Sequence, residues 1–273
     1  MFKAFIIFFL FCSIFTSSSY AQLSDLNNDG EVRILAFGDS VTFGVGDGTS
    51  IGEFSAFPPV TDGSMGYPAR VENILGVFVD NEGVPGEEVA MGGAERYVSL
   101  VQSSSADYFL IKEGTNDSIR ILDRSVYSSI MQSLINVTRA MGREPILLTI
   151  PNSCCDRDGR QPITDGYSEE IITLGFINDV AVADVDRAWE TTCIDQEECE
   201  LYNIPDGIHP NTVGYDVMAQ TVLSALLGID IFQQDGAGLL EQALGLETGT
   251  VLVQPSLETA EENLAGILSR DSE

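Results

Sequence analysis

Val32-Arg33-Ile34-Leu35-Ala36-Phe37-Gly38-Asp39-Ser40-Val41-Thr42-Phe43-Gly44 decides how this chain is read. Residues 32–37 form a largely apolar run of the length of a buried strand, and Gly38-Asp39-Ser40 breaks it with turn residues. Further short apolar runs follow at residues 77–79, 108–111, 146–150 and 180–185. Between and after them lie segments with helical spacing, at residues 67–75, 87–101, 125–141, 166–176 and 212–227. Strand and helix thus alternate about five times, which predicts an α/β fold, a three-layer α/β/α sandwich around a parallel sheet. Ligands of such sheets bind outside the carboxyl ends of the strands, so the residues just after each strand matter most.

Four loops of that kind carry chemistry. The first presents Ser40 after Gly38-Asp39, and the second reads Asn81-Glu82-Gly83-Val84-Pro85-Gly86. The third reads Glu113-Gly114-Thr115-Asn116-Asp117, and Asp206-Gly207-Ile208-His209-Pro210 precedes the last helical segment. His209 is the only histidine of the chain, so any general-base chemistry by imidazole falls to it. Asp206, three residues upstream, can return to the ring through a turn at Gly207 and fix its tautomer. A hydroxyl, an Asp/His pair, a glycine backbone and a neutral amide on one rim make up the inventory of an acyl-transfer site.

Composition narrows the partners. The chain has 273 residues, 44% hydrophobic and 20% charged, with 13 basic against 42 acidic residues. Such an acidic surface repels phosphate backbones, which excludes nucleic acid as a partner. Lys3 and Lys112 are the only lysines. Lys3, the apolar run at residues 4–15 and the small-x-small Ser19-Tyr20-Ala21 read as a signal peptide over residues 1–21, cleaved before Gln22. The run is shorter than the roughly 20 residues that span a bilayer, so no stable membrane insertion is expected. Cys12 leaves with this segment, and Phe11 before it argues against a lipoprotein site. The mature protein is expected to be secreted, to the periplasm or the medium.

Cys154, Cys155, Cys193 and Cys199 then remain. An even number in an oxidising compartment suggests two disulfides, with three connectivities open. Bridges between the 154–155 and 193–199 loops would clamp segments that flank Asp206 and His209. A zinc site competes, but the spacing fits no usual ligand pattern and no histidine is spare. Asp25-Leu26-Asn27-Asn28-Asp29-Gly30 imitates a calcium loop; the twelfth position is Ala36 where a bidentate acid is needed, so an Asx-rich turn is expected. Gly48-Thr49-Ser50-Ile51-Gly52 spells a nucleophile elbow without the strand and helix that an elbow requires. The glycines from Gly44 to Gly48 lack the spacing of a phosphate-binding loop. Trp189 is expected to pack against the sheet, and the long loop at residues 47–65 to wall the site. The core domain spans residues 22–231, and residues 232–273 form an acidic extension with short helical stretches at 239–244 and 258–268.

Gly38-Asp39-Ser40, Gly83-Val84-Pro85-Gly86, Gly114-Thr115-Asn116-Asp117 and Asp206-Gly207-Ile208-His209-Pro210, in this order and spacing, resemble the blocks of the GDSL-type or SGNH hydrolases. The resemblance covers roughly residues 33–227, and Val41 stands where the family often has leucine. It implies a flavodoxin-like sandwich with five parallel strands. It further implies Ser40 as nucleophile, His209 as general base and then acid, and Asp206 as its partner. The implied oxyanion hole uses the N–H groups of Ser40 and Gly86 and the side-chain amide of Asn116. Asp39 and Asp117 read as structural groups that bond local backbone N–H groups. The expected function is a serine esterase that needs neither metal nor organic cofactor and acts on a small ester or an acylated glycan. A lysophospholipase or thioesterase-like activity is the enzymatic alternative. A non-catalytic glycan-binding protein is the alternative of another class, disfavoured because all three triad residues are present.

Overall fold

The first apolar run is buried on both sides, which explains why it does not alternate with polar residues. In the computed structural model, which describes residues 23–48, 65–154, 161–193, 199–204 and 206–253, it forms β1 (Arg33–Gly38). Ile34 and Ala36 point to one core, and Leu35 and Phe37 to the other. Ser40–Phe43 (α1) follows at once, then Gly66–Leu75 (α2), β2 (Phe78–Gly83) and a 3₁₀ turn at Val89–Met91. The chain continues through Gly93–Ser103 (α3), β3 (Tyr108–Lys112), Thr115–Ile119 (α4), Arg124–Ala140 (α5) and β4 (Glu144–Leu148). Gln161–Asn178 (α6), β5 (Val182–Ala183), Val185–Thr192 (α7), Thr212–Leu227 (α8) and Gly236–Leu244 (α9) complete it.

All strand pairs are parallel, in the order β2-β1-β3-β4-β5. Helices α2, α7 and α8 cover one face with Tyr67, Trp189, Tyr215 and Met218; α3, α5 and α6 cover the other with Tyr97, Tyr127, Met131 and Tyr167. This is the expected five-stranded α/β/α sandwich. The chain leaves β1 toward β2 on one side and returns to β3 on the other, so the topological switch point lies at the carboxyl end of β1, where Ser40 stands.

Several boundaries differ from expectation, each for a local reason. The fifth run forms only two strand residues, because Asp184 caps α7 by accepting the Arg187 N–H and takes Val185 into that helix. The helix expected at residues 87–101 breaks at Gly92, which adopts φ +112. Beyond α8, Ile229, Ile231, Phe232, Leu240, Val251 and Val253 are buried in the same core as Met218 and Val222. Gln220 on α8 fastens this stretch by donating to the Thr250 carbonyl and accepting from the Leu252 N–H. Among the described residues no helix is long and apolar enough to cross a membrane. Residues 49–52 of the elbow-like stretch, most of the 47–65 loop, residues 1–22 and the helical stretch expected at 258–268 lie outside the described residues.

Candidate active site

Asp39, at the end of β1, caps α1 by accepting the Val41 N–H at 2.9 Å, which turns the chain sharply and sets Ser40 as the first helical residue. The first-turn N–H of Ser40 has no acceptor within so short a helix. About 170 residues later, a loop folded on itself carries the second half of the site. Asn203 N–H donates to the His209 carbonyl, Gly207 N–H to the Asn203 carbonyl, and Asn211 N–H to the Leu201 carbonyl. Asn211 then caps α8 through the Val213 and Gly214 N–H groups.

This loop brings His209 Nε2 to 2.8 Å from Ser40 Oγ, and His209 Nδ1 to 2.7 Å from Asp206 Oδ2. The same carboxylate oxygen accepts the backbone N–H groups of His209 at 2.7 Å and Ile208 at 3.4 Å. Burial alone would raise the Asp206 carboxyl; the His209 ring, by hydrogen bond and charge, and the two N–H groups outweigh it and leave it below its ordinary value. Ser40 is 8% exposed, so the hydroxyl is sheltered yet reachable. The three residues proposed from sequence thus form one hydrogen-bonded line.

The other two loops meet beside Ser40. Gly38 pairs with Gly83 across β1 and β2, and the Val84 N–H donates to the Gly38 carbonyl at 2.8 Å. Residues 84–87 form a tight turn closed by the Glu87 N–H on the Val84 carbonyl, with Pro85 inside it and Gly86 at φ +83. That combination is the type II turn, whose third residue favours glycine. The Asn116 Nδ2 donates to the Glu87 carbonyl at 2.9 Å. An amide nitrogen carries two hydrogens, so one remains for a further acceptor. Asp117 is structural as expected, and besides its own backbone N–H it holds two distant ones. It accepts the N–H groups of Val89 at 3.0 Å and Ala90 at 3.3 Å, which locks the Gly86 turn to the Asn116 helix.

A small cavity lies next to these groups, lined by Thr115, Ser118 and Ile119 of α4, by Ile150 and Pro151 after β4, and by Ile208. Trp189 is fully buried against Tyr202 and lines no part of it.

Of the cysteines, Cys193 is bonded to Cys199, six residues on, so this bridge closes a single loop rather than clamping two. Cys154 is also disulfide-bonded, and Cys155 lies outside the described residues. Cys193, Cys199 and Glu200 are the group of metal-type donors that lies close together among the described residues, and the disulfide occupies both sulfurs. The calcium-like stretch is an Asx-rich turn. Asp25 and Asn27 accept backbone N–H groups of Asp29 and Gly30, and Asp29 pairs with Arg33.

Sequence reasoning passed over two supports of the site. Arg70 on α2 binds Asp47, Asp216 and the Thr212 carbonyl, and Asp47 accepts the Gly66 N–H at 2.7 Å. Lys112 is buried against Asp39 at 2.8 Å. A lysine ending an apolar run, in a chain with only one other, was the available signal.

No curated protein sequence matches the chain. Among solved structures, an acetylxylan esterase from Geobacillus stearothermophilus is similar over 72% of this chain and 94% of its own, with 22% identity and a TM-score of 0.57. A lipase/acylhydrolase from Enterococcus faecalis is similar over 72% and 96%, also at 22% identity and a TM-score of 0.57. These likenesses establish the shared fold. The family model described as GDSL-like lipase/acylhydrolase matches residues 36–217, from the middle of β1 into α8, and so spans all four loops that meet at Ser40. With two thirds of its length matched in one stretch, the chain belongs to the GDSL-like lipase/acylhydrolase family of ester hydrolases.

Proposed function

We propose that this protein is a secreted serine esterase that cleaves short-acyl or acetyl esters, including those on glycans, through an acyl-enzyme. The observation that carries the reading is the line from Ser40 Oγ through the His209 ring to Asp206, with contacts of 2.8 and 2.7 Å. His209 Nε2 takes the Ser40 proton as Oγ attacks the ester carbonyl, and Asp206 holds the Nδ1–H and stabilises the imidazolium. The tetrahedral oxyanion rests on the N–H groups of Ser40 and Gly86 and the free N–H of Asn116. Collapse expels the alcohol, which receives the proton from His209. A water then repeats the cycle: His209 takes its proton, the hydroxide attacks the acyl carbon, and Ser40 leaves reprotonated with release of the acid.

The fold neighbours include an acetyl-xylooligosaccharide esterase and an acetylxylan esterase, and a serine-to-alanine form of the latter is described as a catalytic mutant. The excess of 42 acidic over 13 basic residues disfavours anionic lipid interfaces. Lys3, the apolar run at residues 4–15 and Ser19-Tyr20-Ala21 support export.

The test is a chain-length series of p-nitrophenyl esters, with acetylated xylo-oligosaccharide alongside and Ser40→Ala as control. Turnover is expected to be greatest for acetyl and to be lost in the variant. Preference for long acyl chains would replace the short-ester reading with a lipid acyl hydrolase, and absence of turnover on every ester would favour a binding protein.

A further inference from the structure

We infer that Lys112 is a positioning residue for this hydrolysis: its buried ammonium ties the cap of the nucleophile's helix to the helix that carries the Asn116 amide. The inference rests on the reading of Ser40 as nucleophile and Asn116 as oxyanion donor.

The geometry is specific. Lys112 ends β3 and pairs with Gly38 of β1, so its side chain starts beneath the residue that precedes Asp39. Lys112 and Asp39 are both fully buried. The Lys112 Nζ donates to Asp39 Oδ2 at 2.8 Å and to the Thr115 Oγ1. The other oxygen of Asp39 accepts the Val41 N–H at 2.9 Å, one residue beyond the nucleophile. Thr115 is the first residue of α4, directly before Asn116. A single cation therefore spans the two short helices whose first turns hold Ser40 and the amide.

Other bonds hold each helix to its own surroundings, Thr42 to the Tyr67 hydroxyl in α1 and Asp117 to the Val89 and Ala90 N–H groups in α4, whereas Lys112 joins the two helices to each other. Helix α1 is four residues long and α4 five, too short to be stable alone. A buried ion pair is weak evidence for stability, since a neutral pair of similar volume often serves the fold as well. What such a pair does supply is a fixed distance between its two ends. Lys112 has no exposed surface, so it does not reach a substrate. Its effect must pass through Asp39 and Thr115, and it must show in the transition state rather than in substrate binding.

The experiment replaces both charges, Lys112→Met together with Asp39→Asn, so that neither member of the pair is left buried without the other, and measures kcat, KM and the melting temperature on an acetyl ester. The expected result is a folded variant whose kcat falls about tenfold to a hundredfold while KM moves less than about twofold. A folded variant with kcat within about twofold of wild type overturns the inference. Thr115→Val removes only the second contact and keeps the pair, and it decides the matter if the double variant does not fold. A fall in kcat of about threefold or more with unchanged KM supports the inference, and an unchanged kcat overturns it. Wild-type protein that neither turns over esters nor takes a fluorophosphonate label at Ser40 would refute the hydrolase reading beneath it, a failure distinct from active wild type with indifferent variants.

Discussion

Gly46→Ala tests how tightly the imidazole is held. Gly46 lies at φ +92, and a Cβ there would stand 2.6 Å from the Pro210 carbonyl oxygen and 3.3 Å from the His209 Cβ. Ordinary contact begins at 3.4 Å, so about 0.8 Å of movement is required. The Gly46 side cannot easily supply it. Asp47 accepts the N–H groups of Gly66 at 2.7 Å and Gly48 at 2.9 Å and is paired with Arg70, while the Tyr215 hydroxyl donates to the Val45 carbonyl at 2.7 Å. The His209–Pro210 segment therefore moves, and a shift of that size breaks the 2.8 Å contact between Nε2 and Ser40 Oγ. Misplacement by about 1 Å can cost about a hundredfold in rate, and the left-handed backbone adds about 1–2 kcal/mol of destabilisation. The assay is steady-state hydrolysis of a short p-nitrophenyl ester beside thermal unfolding. We expect kcat to fall about a hundredfold with KM within about threefold, and the melting temperature to drop by a few degrees. A folded Gly46→Ala protein with kcat within about twofold of wild type would refute the reasoning.

Asn116→Ala removes the one donor of the oxyanion site that comes from a side chain, and kcat should fall about a hundredfold to a thousandfold in the same assay. Asp206→Asn withdraws the charge behind the imidazole; a loss of up to about ten-thousandfold in kcat with the fold intact is expected, and circular dichroism checks the fold. Glu113 is fully buried with both carboxyl oxygens unpartnered, and burial, reinforced by Asp39 and Glu87, pushes it well above 4.5. The unfolded chain ionises first as pH rises past that value, so Glu113 costs stability increasingly above it; Glu113→Gln should raise the melting temperature at about pH 7 more than at about pH 4. Asp186 is pushed up to about 8 from 3.8 by burial and by Asp165, Glu190 and Asp184. Its unfavourable contribution therefore grows across that window, and Asp186→Asn should gain several degrees at about pH 9 and little at about pH 4.

How much of this was legible in the sequence depends on the length scale of each signal. Helix α8 matches its expected limits, since a 16-residue stretch buried nearly all round, capped by Asn211 and ended by Gly228, leaves little choice. The strands were located by their two-sided burial, as Ile34 and Leu35 illustrate by facing different cores. Helices α1 and α4 leave no helical signal in the sequence because a single turn has no periodicity to detect; their caps, Asp39 and Gly114, are its marks there. Helix α7 was hidden by the run that ends at Val185, where the capping of Asp184 prevailed over β-propensity. At the site, Ser40, Asp206, His209, Gly86 and Asn116 could be named from four short motifs. Their supports could not, because Arg70 to Asp216 and Lys112 to Asp39 span 146 and 73 residues. Pairings at that distance leave no local trace. The disulfide likewise had three formal connectivities, and Cys193 took the partner within its own loop.

The central claim is that the hydroxyl of Ser40 becomes acylated. Intact-mass measurement after treatment with a fluorophosphonate, followed by peptide mapping, tests it most directly. One adduct per chain on the peptide that contains Ser40, absent from Ser40→Ala and much slower to form in His209→Ala, is the predicted result. An adduct on another residue, or full ester turnover by Ser40→Ala, would contradict it.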